Sequence, residues 1–210
     1  MDQEQQIETR KRIFDSAAKL FAERGYSSVS MREIADAAEV SKPMLYYYFE
    51  SKTGLCRALI EDGIDKMIAE VNRIVTKPIS VEERLRELTR ERYRAVRENP
   101  EIMRFHNDFL FGPNASGLIH EYSERMEYPL RAISQMIAEA QAKNEFTSDM
   151  DPDTLTLMYI GLTSVFVHIQ IALNRPEFCT KPEIDDRLAD AVVSQFINGA
   201  RVHPTQSIQS

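Results

Sequence analysis

The stretch SKPMLYYYF, residues 41–49, places one lysine and three consecutive tyrosines in what reads as a short helix. Successive side chains on a helix are about 100° apart, so three tyrosines in a row cannot all be buried together. An exposed tyrosine donates its hydroxyl to a phosphate oxygen while its ring packs on sugar, and lysine donates to guanine O6 and N7 in the major groove. These residue types therefore predict contact with double-stranded DNA.

The two faces of this helix are expected to differ. Leu45 and Phe49 lie four residues apart and share a face, so they should anchor the helix on the side of Ile34 and Phe21. The outward side chains and two flanking cations make up the predicted DNA-binding set: Arg32, Ser41, Lys42, Pro43, Met44, Tyr46, Tyr47, Tyr48 and Lys52.

The members of this set have different expected roles. Lys42, near the helix N-terminus, is predicted to read base edges, and Pro43 and Met44 offer apolar contact to a thymine methyl group. The tyrosines are expected on phosphates, with part of Tyr46 covering an apolar seam against the helix that follows residue 54. Lys52 should neutralise a flanking phosphate, and Arg32 should reach either a phosphate or a base.

Short helices must position this stretch. One apolar stripe at helical spacing predicts an amphipathic helix over residues 9–24 that Gly25 ends: Ile13, Ala17, Leu20 and Phe21. Ser30 and Glu33 have the spacing of a capping box that opens a second helix, and Ser41 can cap a third. Two helices joined by a turn of about four residues form the helix-turn-helix pattern.

The turn of that pattern lacks the glycine often found there. Residues 37–40 must form it, with Glu39 near the position where glycine would be easiest.

Apolar spacing in the rest of the chain also follows the helical period, so the predicted fold class is all-α. We expect a helix-turn-helix domain over residues 1–54 and a larger helical ligand-binding and dimerisation domain over 55–210. The predicted helices of the larger domain cover residues 54–75, 80–98, 100–111, 115–143, 152–173 and 182–200.

Charge is distributed unevenly along the chain. The net charge is −7, and the 26 basic and 33 acidic residues place about +3 on residues 9–57 and −7 on residues 58–210. A mildly basic N-terminal unit on an acidic body indicates two functions in one chain. The two cysteines, Cys56 and Cys179, have no metal or disulfide spacing, which predicts free thiols in a reducing cytoplasm.

The apolar run at residues 157–173 is short for a membrane-spanning helix. Its 17 residues include His168 and Gln170 and are fewer than the roughly 20 that a span needs. We therefore predict a buried helix, and together with the last helix it predicts a homodimer interface formed by residues 152–173 and 182–200, with Ile184, Leu188, Val192 and Phe196 on the last helix. Intramolecular core is the open alternative.

Aromatic and methionine side chains in the body suit a largely apolar ligand cavity, although plain core explains each of them singly. The predicted ligand-binding set is Met103, Phe105, His106, Phe109, Tyr122, Met126, Tyr159, Phe166 and His168. His120 and Glu124 have a spacing that can bind a metal but lack a third ligand. No catalytic motif is found, and neither an enzyme activity nor a cofactor is predicted.

The block from Ile13 to Leu59 resembles the tetracycline-repressor (TetR) family of bacterial transcription regulators. The resemblance rests on the string LYYYFESKTGL and on spaced residues before it: Phe21, Gly25, Ile34, Ala35 and Val40. It implies a homodimeric repressor whose heads enter successive major grooves of a palindromic operator and whose body binds a small molecule that moves the heads out of register. Met31 and Met44 depart from the small polar residues of many relatives. A DNA-bound adaptor that recruits a protein partner, without a small ligand, remains the alternative, and a metal-assisted helical enzyme is a third class.

Overall fold

The computed structural model describes residues 3–111, 118–172 and 183–201. The described residues are helical almost throughout, which confirms the all-α prediction. The helices are α1 (Gln3–Arg24), α2 (Met31–Ala37), α3 (Lys42–Tyr48), α4 (Lys52–Val75), α5 (Val81–Glu98), α6 (Pro100–Phe111), α7 (Leu118–Ala142), α8 (Pro152–Ala172) and α9 (Asp186–Ala200).

One predicted boundary was wrong, and one short element was not predicted. Helix α1 begins at Gln3 rather than at residue 9, since the polar residues before the apolar stripe continue the helix as an exposed end. A 3₁₀ turn, Tyr26–Ser28, also separates α1 from α2 and was not predicted. The signal for it is Gly25 followed by two serines, a composition typical of turns.

The chain forms two compact units, and each is described by itself. Unit 1 comprises Met1–Lys66 and Glu98–Tyr122, and unit 2 comprises Met67–Arg97 and Ser123–Ser210. The functional boundary at residue 54 stays a prediction.

The core of unit 1 confirms the expected buried face of α3. Leu45 is fully buried and Phe49 is 7% exposed. The Phe49 ring lies 5.5 Å from that of Phe14, and Phe21 of α1 packs 5.7 Å from Phe105 of α6, measured between ring centroids. Burial of large aromatic groups of this kind supplies most of the stability of a small helical unit.

The core of unit 2 is formed by residues from α4, α5, α7, α8 and α9, including Ile74, Leu85, Ile137, Leu155 and Ile197. The chain after α7 is tied back by the amide of Thr147, which donates to the carbonyl of Ala200 over 2.7 Å.

Helix α8 is not buried on every side within the single chain, and its predicted burial against a second copy stays a prediction. One face packs inward through Leu155, Tyr159 and Thr163, whereas the opposite face is exposed. Among the described residues no helix is long and apolar enough to cross a membrane.

Candidate nucleic-acid interface

Helix α2 begins with a complete capping box. The Glu33 amide donates to Ser30 Oγ over 3.3 Å, and the Ser30 amide donates to Glu33 Oε2 over 2.8 Å. Arg24 of α1 adds a 2.7 Å ion pair to the same carboxylate. The hydrogen bonds from Ser30, followed by that from Arg24, lower the pKa of Glu33 to about 2. The box fixes the start of α2 and connects it to the end of α1.

The turn between α2 and α3 adopts the backbone conformation that its sequence makes costly. Glu39 has a φ of 53°, in the left-handed region that glycine occupies most easily. The turn is closed by the amide of Val40, which donates to the carbonyl of Ala35 over 3.0 Å. The prediction for Glu39 is confirmed.

Helix α3 is capped by Ser41, whose Oγ accepts the Met44 amide over 3.2 Å, with Pro43 in the first turn. Lys42, Pro43, Tyr46 and Tyr47 are exposed, the last two by 41% and 76%, while Met44 is half-buried. The Lys42 ammonium lies 5.8 Å from the centre of the Tyr46 ring. We call the exposed side chains of Lys42, Tyr46 and Tyr47 the α3 surface.

Arg32 lies on α2, with a side chain 82% exposed and 3.9 Å from the carboxylate of Asp36. An ion pair this exposed is worth little, so the guanidinium is available to another anion.

Tyr48 differs from its two neighbours. It is half-buried, and its hydroxyl is buried with no hydrogen-bond partner in the described part of the chain. Its ring makes an edge contact with Tyr47 at 5.5 Å and lies 6.3 Å from Phe49. In this arrangement the hydroxyl does not face outward, so the geometry does not support the predicted phosphate contact for Tyr48.

Lys52 makes an internal contact that the sequence did not indicate. Its Nζ donates to the carbonyls of Tyr26, Ser27 and Val29 over 2.9, 3.4 and 2.9 Å, and it lies 4.5 Å from the centre of the Tyr26 ring. A lysine ammonium has three hydrogens, and three carbonyls accept them. This geometry favours a structural role, closing the 3₁₀ turn, over the predicted phosphate contact.

Cys56 lies in the first turns of α4 and is 2% exposed. Burial raises the pKa of its thiol to about 11, and the charge of Lys52 opposes that shift only in part. The thiol is therefore protonated near neutral pH and unreactive. Cys179 lies outside the described residues.

Five members of the predicted ligand set belong to unit 1, and the side chains of all but Phe109 are described. Phe105 and Tyr122 are buried, and Met103 and His106 are half-buried. The His106 ring lies against α4: its Nε2 is 3.3 Å from the Leu59 carbonyl, and a Cβ added at Gly63 would lie 2.1 Å from its Cε1. Burial lowers the pKa of His106. This histidine is packed against the backbone of a neighbouring helix.

The other four members of the predicted ligand set belong to unit 2. Met126, Phe166 and His168 are half-buried residues of unit 2, and Tyr159 is buried there with its hydroxyl donating to the Leu85 carbonyl over 3.0 Å. The side chains of Phe109 and His120 lie outside the described residues.

Comparison with known proteins agrees with the helix-turn-helix geometry. Residues 13–59 match the model of bacterial regulatory proteins of the tetR family. An uncharacterized HTH-type transcriptional regulator from Bacillus subtilis (strain 168), YuxN, is 28% identical over 194 residues, covering 90% of this chain and 62% of the relative. The matched region covers 54% of the length of a second relative, so the chain spans only part of the proteins that it resembles.

Two further proteins extend the comparison. The HTH-type transcriptional repressor KstR2 from Rhodococcus jostii (strain RHA1) is 28% identical over 143 residues, covering 68% of this chain and 70% of the relative. The crystal structure of the transcriptional regulator FadR from Bacillus subtilis in complex with stearoyl-CoA has a TM-score of 0.75 at 18% identity, covering 92% of this chain and 99% of that one. The latter likeness shows a shared fold. With α2 and α3 arranged as a helix-turn-helix, these matches show that residues 13–59 are similar to the helix-turn-helix segment of bacterial regulatory proteins of the tetR family.

Proposed function

We propose that this protein is a transcriptional repressor of the TetR family. It binds a palindromic operator as a homodimer and is released by a small, largely apolar molecule. The observation that carries the proposal is the α3 surface, where Lys42 and two tyrosines are exposed on a helix whose other face is buried. Large aromatic rings left exposed on a folded surface mark a binding site.

The α3 surface has the chemistry of a recognition helix. Lys42 is the first residue of α3 after its cap and belongs to none of the described ion pairs, so its ammonium is available to a guanine edge. Tyr46 and Tyr47 present rings and hydroxyls that suit the sugar–phosphate backbone. Arg32 on α2 adds a second cation to the same helix pair. In this proposal residues 1–54 read DNA, in the cytoplasm where the operator lies.

The dimer is proposed to form through α8 and α9. Four aliphatic side chains of α8 are exposed by 63%, 50%, 38% and 45%, in this order: Leu157, Met158, Leu162 and Val165. On α9, Ala191, Gln195 and Gly199 recur every four residues on an exposed face. We call these residues, with Gly161, the α8–α9 surface.

The α8–α9 surface is built for close approach of another helix. A Cβ added at Gly161 or Gly199 would meet no atom within 4 Å, so both positions are open toward the outside. Small residues let helices approach closely, and exposed aliphatic side chains favour burial against a second copy. The predicted interface residues Ile184, Val192 and Phe196 are instead buried inside unit 2.

An effector in residues 55–210 completes the proposal. The FadR structure that shares this fold contains stearoyl-CoA, which supports a ligand with a long apolar chain. A ligand shifts the regulator off DNA only by its differential affinity for the two conformations, which must be worth a few kcal/mol.

Selection of bound sequences from a random DNA pool tests this proposal. The full-length protein should recover a palindrome whose half-sites are about one helical turn, or a multiple of it, apart. Recovery of no common sequence would contradict specific regulation, and a single unrepeated half-site would contradict the dimer. The same palindrome beside the protein's own gene would identify a regulated promoter.

A further inference from the structure

Helix α5 of unit 2 is rich in arginine, and its arginines are not equivalent. It contains six, and five lie within 4 Å of a carboxylate: Arg84 with Glu139, Arg86 with Glu82, Arg90 with Glu83 and Asp190, Arg94 with Glu91, and Arg97 with Asp186. Arg92 makes no ion pair and no hydrogen bond with the part of the chain that the structure describes.

Arg92 also lies on the wrong face of the helix for a solvated charge. It is four residues after Leu88 and four before Val96, so it points within about 40° of both. The buried face of α5 consists of Val81, Leu85, Leu88, Thr89, Tyr93 and Val96, and Arg92 falls in the middle of it. Arg92 therefore occupies a position at which the helical pattern predicts an apolar side chain.

The polar groups around this position are already paired with one another. Thr89 Oγ1 and the Tyr159 hydroxyl are 2.8 Å apart, and the Tyr93 hydroxyl donates to the Thr163 carbonyl over 3.1 Å. Burial lowers the pKa of Arg92, and the phenol groups of Tyr159 and Tyr93 oppose that shift. The neighbourhood therefore offers hydroxyl groups but no carboxylate to the guanidinium.

A charge in this setting is costly unless something pairs with it. Burying an ion without a partner costs several kcal/mol, and a guanidinium does not escape that cost by losing its proton. Arg92 is half-buried whereas its neighbours Thr89 and Tyr93 are buried, so part of the arginine side chain remains accessible. An unpaired planar fork of donors that is still accessible on an apolar face matches a bidentate oxyanion.

We propose that Arg92 anchors the oxyanion head, a carboxylate or a phosphate, of an amphipathic effector that binds at this part of α5. The inference rests on the proposed function in one respect, that the body binds a small molecule. It narrows the effector class from largely apolar molecules to those that also carry an anionic head.

Three probes of equal chain length test the assignment on the full-length protein: dodecanoate, dodecyl phosphate and dodecan-1-ol. Binding is measured by titration calorimetry below the concentration at which each probe forms micelles. The wild type should bind one or both anions at least about tenfold more tightly than the alcohol, as expected for a charge-assisted pair. Preference for the carboxylate over the phosphate, or the reverse, identifies the head group.

Two variants of the same helix make the comparison specific. Arg92→Met keeps the length of the side chain and should remove the preference for the anions while leaving alcohol binding within about threefold, and its melting temperature should equal or exceed that of the wild type. Arg90→Met removes a paired arginine of the same helix. It should lower the melting temperature and keep the preference.

The outcomes separate this inference from the proposed function. An anion preference that survives in Arg92→Met, or a wild type that binds none of the probes, overturns the role of Arg92 whether or not the protein selects a palindrome. Tight binding of an anion that leaves operator affinity unchanged keeps Arg92 as an anchor but contradicts release by ligand. Loss of the preference in both variants assigns it to general loss of structure and also overturns the proposal.

Discussion

The α3 surface and the α8–α9 surface both expose apolar side chains that the single chain does not bury, yet their chemistry differs. Tyr46 and Tyr47 carry hydroxyl groups and lie beside Lys42. Leu157 and Leu162 have aliphatic side chains, and their helix has no lysine or arginine among its described positions.

This difference indicates what each surface binds. Rings with polar tips next to a cation fit a partner that presents both sugar rings and negatively charged phosphates, which describes the DNA backbone. Aliphatic side chains with glycines and no charge fit another helix, because only desolvation and close packing are gained there. Five experiments test and sharpen this contrast, in order of expected effect.

Leu162→Glu should have the largest effect, since it places a charge in the proposed dimer interface. The variant should be monomeric by light scattering, and it should lose operator affinity by about 10²-fold or more because two linked heads bind far more tightly than one. Ile7→Glu is the control, an exposed aliphatic residue (64%) on α1 whose change should leave the mass unchanged. A dimeric Leu162→Glu would remove the α8–α9 surface from the interface.

Lys42→Ala should lower discrimination between the operator and random DNA by about 1–3 kcal/mol, because a lysine contact to a base edge is lost. Fluorescence anisotropy with the two DNAs measures this. Lys66→Ala removes the same charge from α4, where the lysine pairs with Asp62 over 2.7 Å, and should change discrimination little. Equal losses on both DNAs for Lys42→Ala would assign this lysine to a phosphate.

Lys52→Met separates the structural role from the phosphate contact predicted from sequence. The loss of three carbonyl partners should lower the free energy of unfolding by about 1–3 kcal/mol, measured by urea denaturation. The salt dependence of DNA binding should keep its slope. Full stability with a slope reduced by about one would restore the phosphate role.

Substitution of Tyr47 and Tyr48 by phenylalanine measures the contribution of each hydroxyl group separately. Tyr47→Phe should weaken binding to operator and random DNA alike by about 0.5–1.5 kcal/mol and leave stability unchanged, since its hydroxyl faces outward. Tyr48→Phe should leave DNA affinity unchanged and raise the free energy of unfolding by about 1 kcal/mol, because a buried hydroxyl without a partner is removed. The opposite assignment of effects would mean that Tyr48 turns outward on DNA.

Glu39→Gly should have the smallest effect, stabilising unit 1 by about 0.5–1 kcal/mol, as relief of the left-handed conformation exceeds the extra entropy of glycine in the unfolded chain. Glu23→Gly, within α1, should instead destabilise it by about 1 kcal/mol. Thermal unfolding of the two variants gives the sign. A loss of stability in Glu39→Gly would show that the Glu39 side chain contributes more than its backbone costs.

The sequence alone determined those features that depend on residues close in the chain. The Ser30 and Ser41 caps, the positive φ of Glu39 and the buried pair Leu45 and Phe49 each follow from neighbours within about four positions. Local backbone hydrogen bonding and helical periodicity decide these features, and both can be read from spacing.

Tertiary structure decided which of several equivalent residues takes which role. Lys52 meets carbonyls more than 20 positions earlier in the chain, where sequence spacing gives no indication. Tyr47 and Tyr48 are identical side chains, but only one faces outward. Arg92 is one of six arginines on its helix, and it differs because carboxylates of α5 itself, of α7 and of the region of α9 pair with the other five. Burial and pairing depend on contacts between distant segments, and those contacts exist only once the chain has folded.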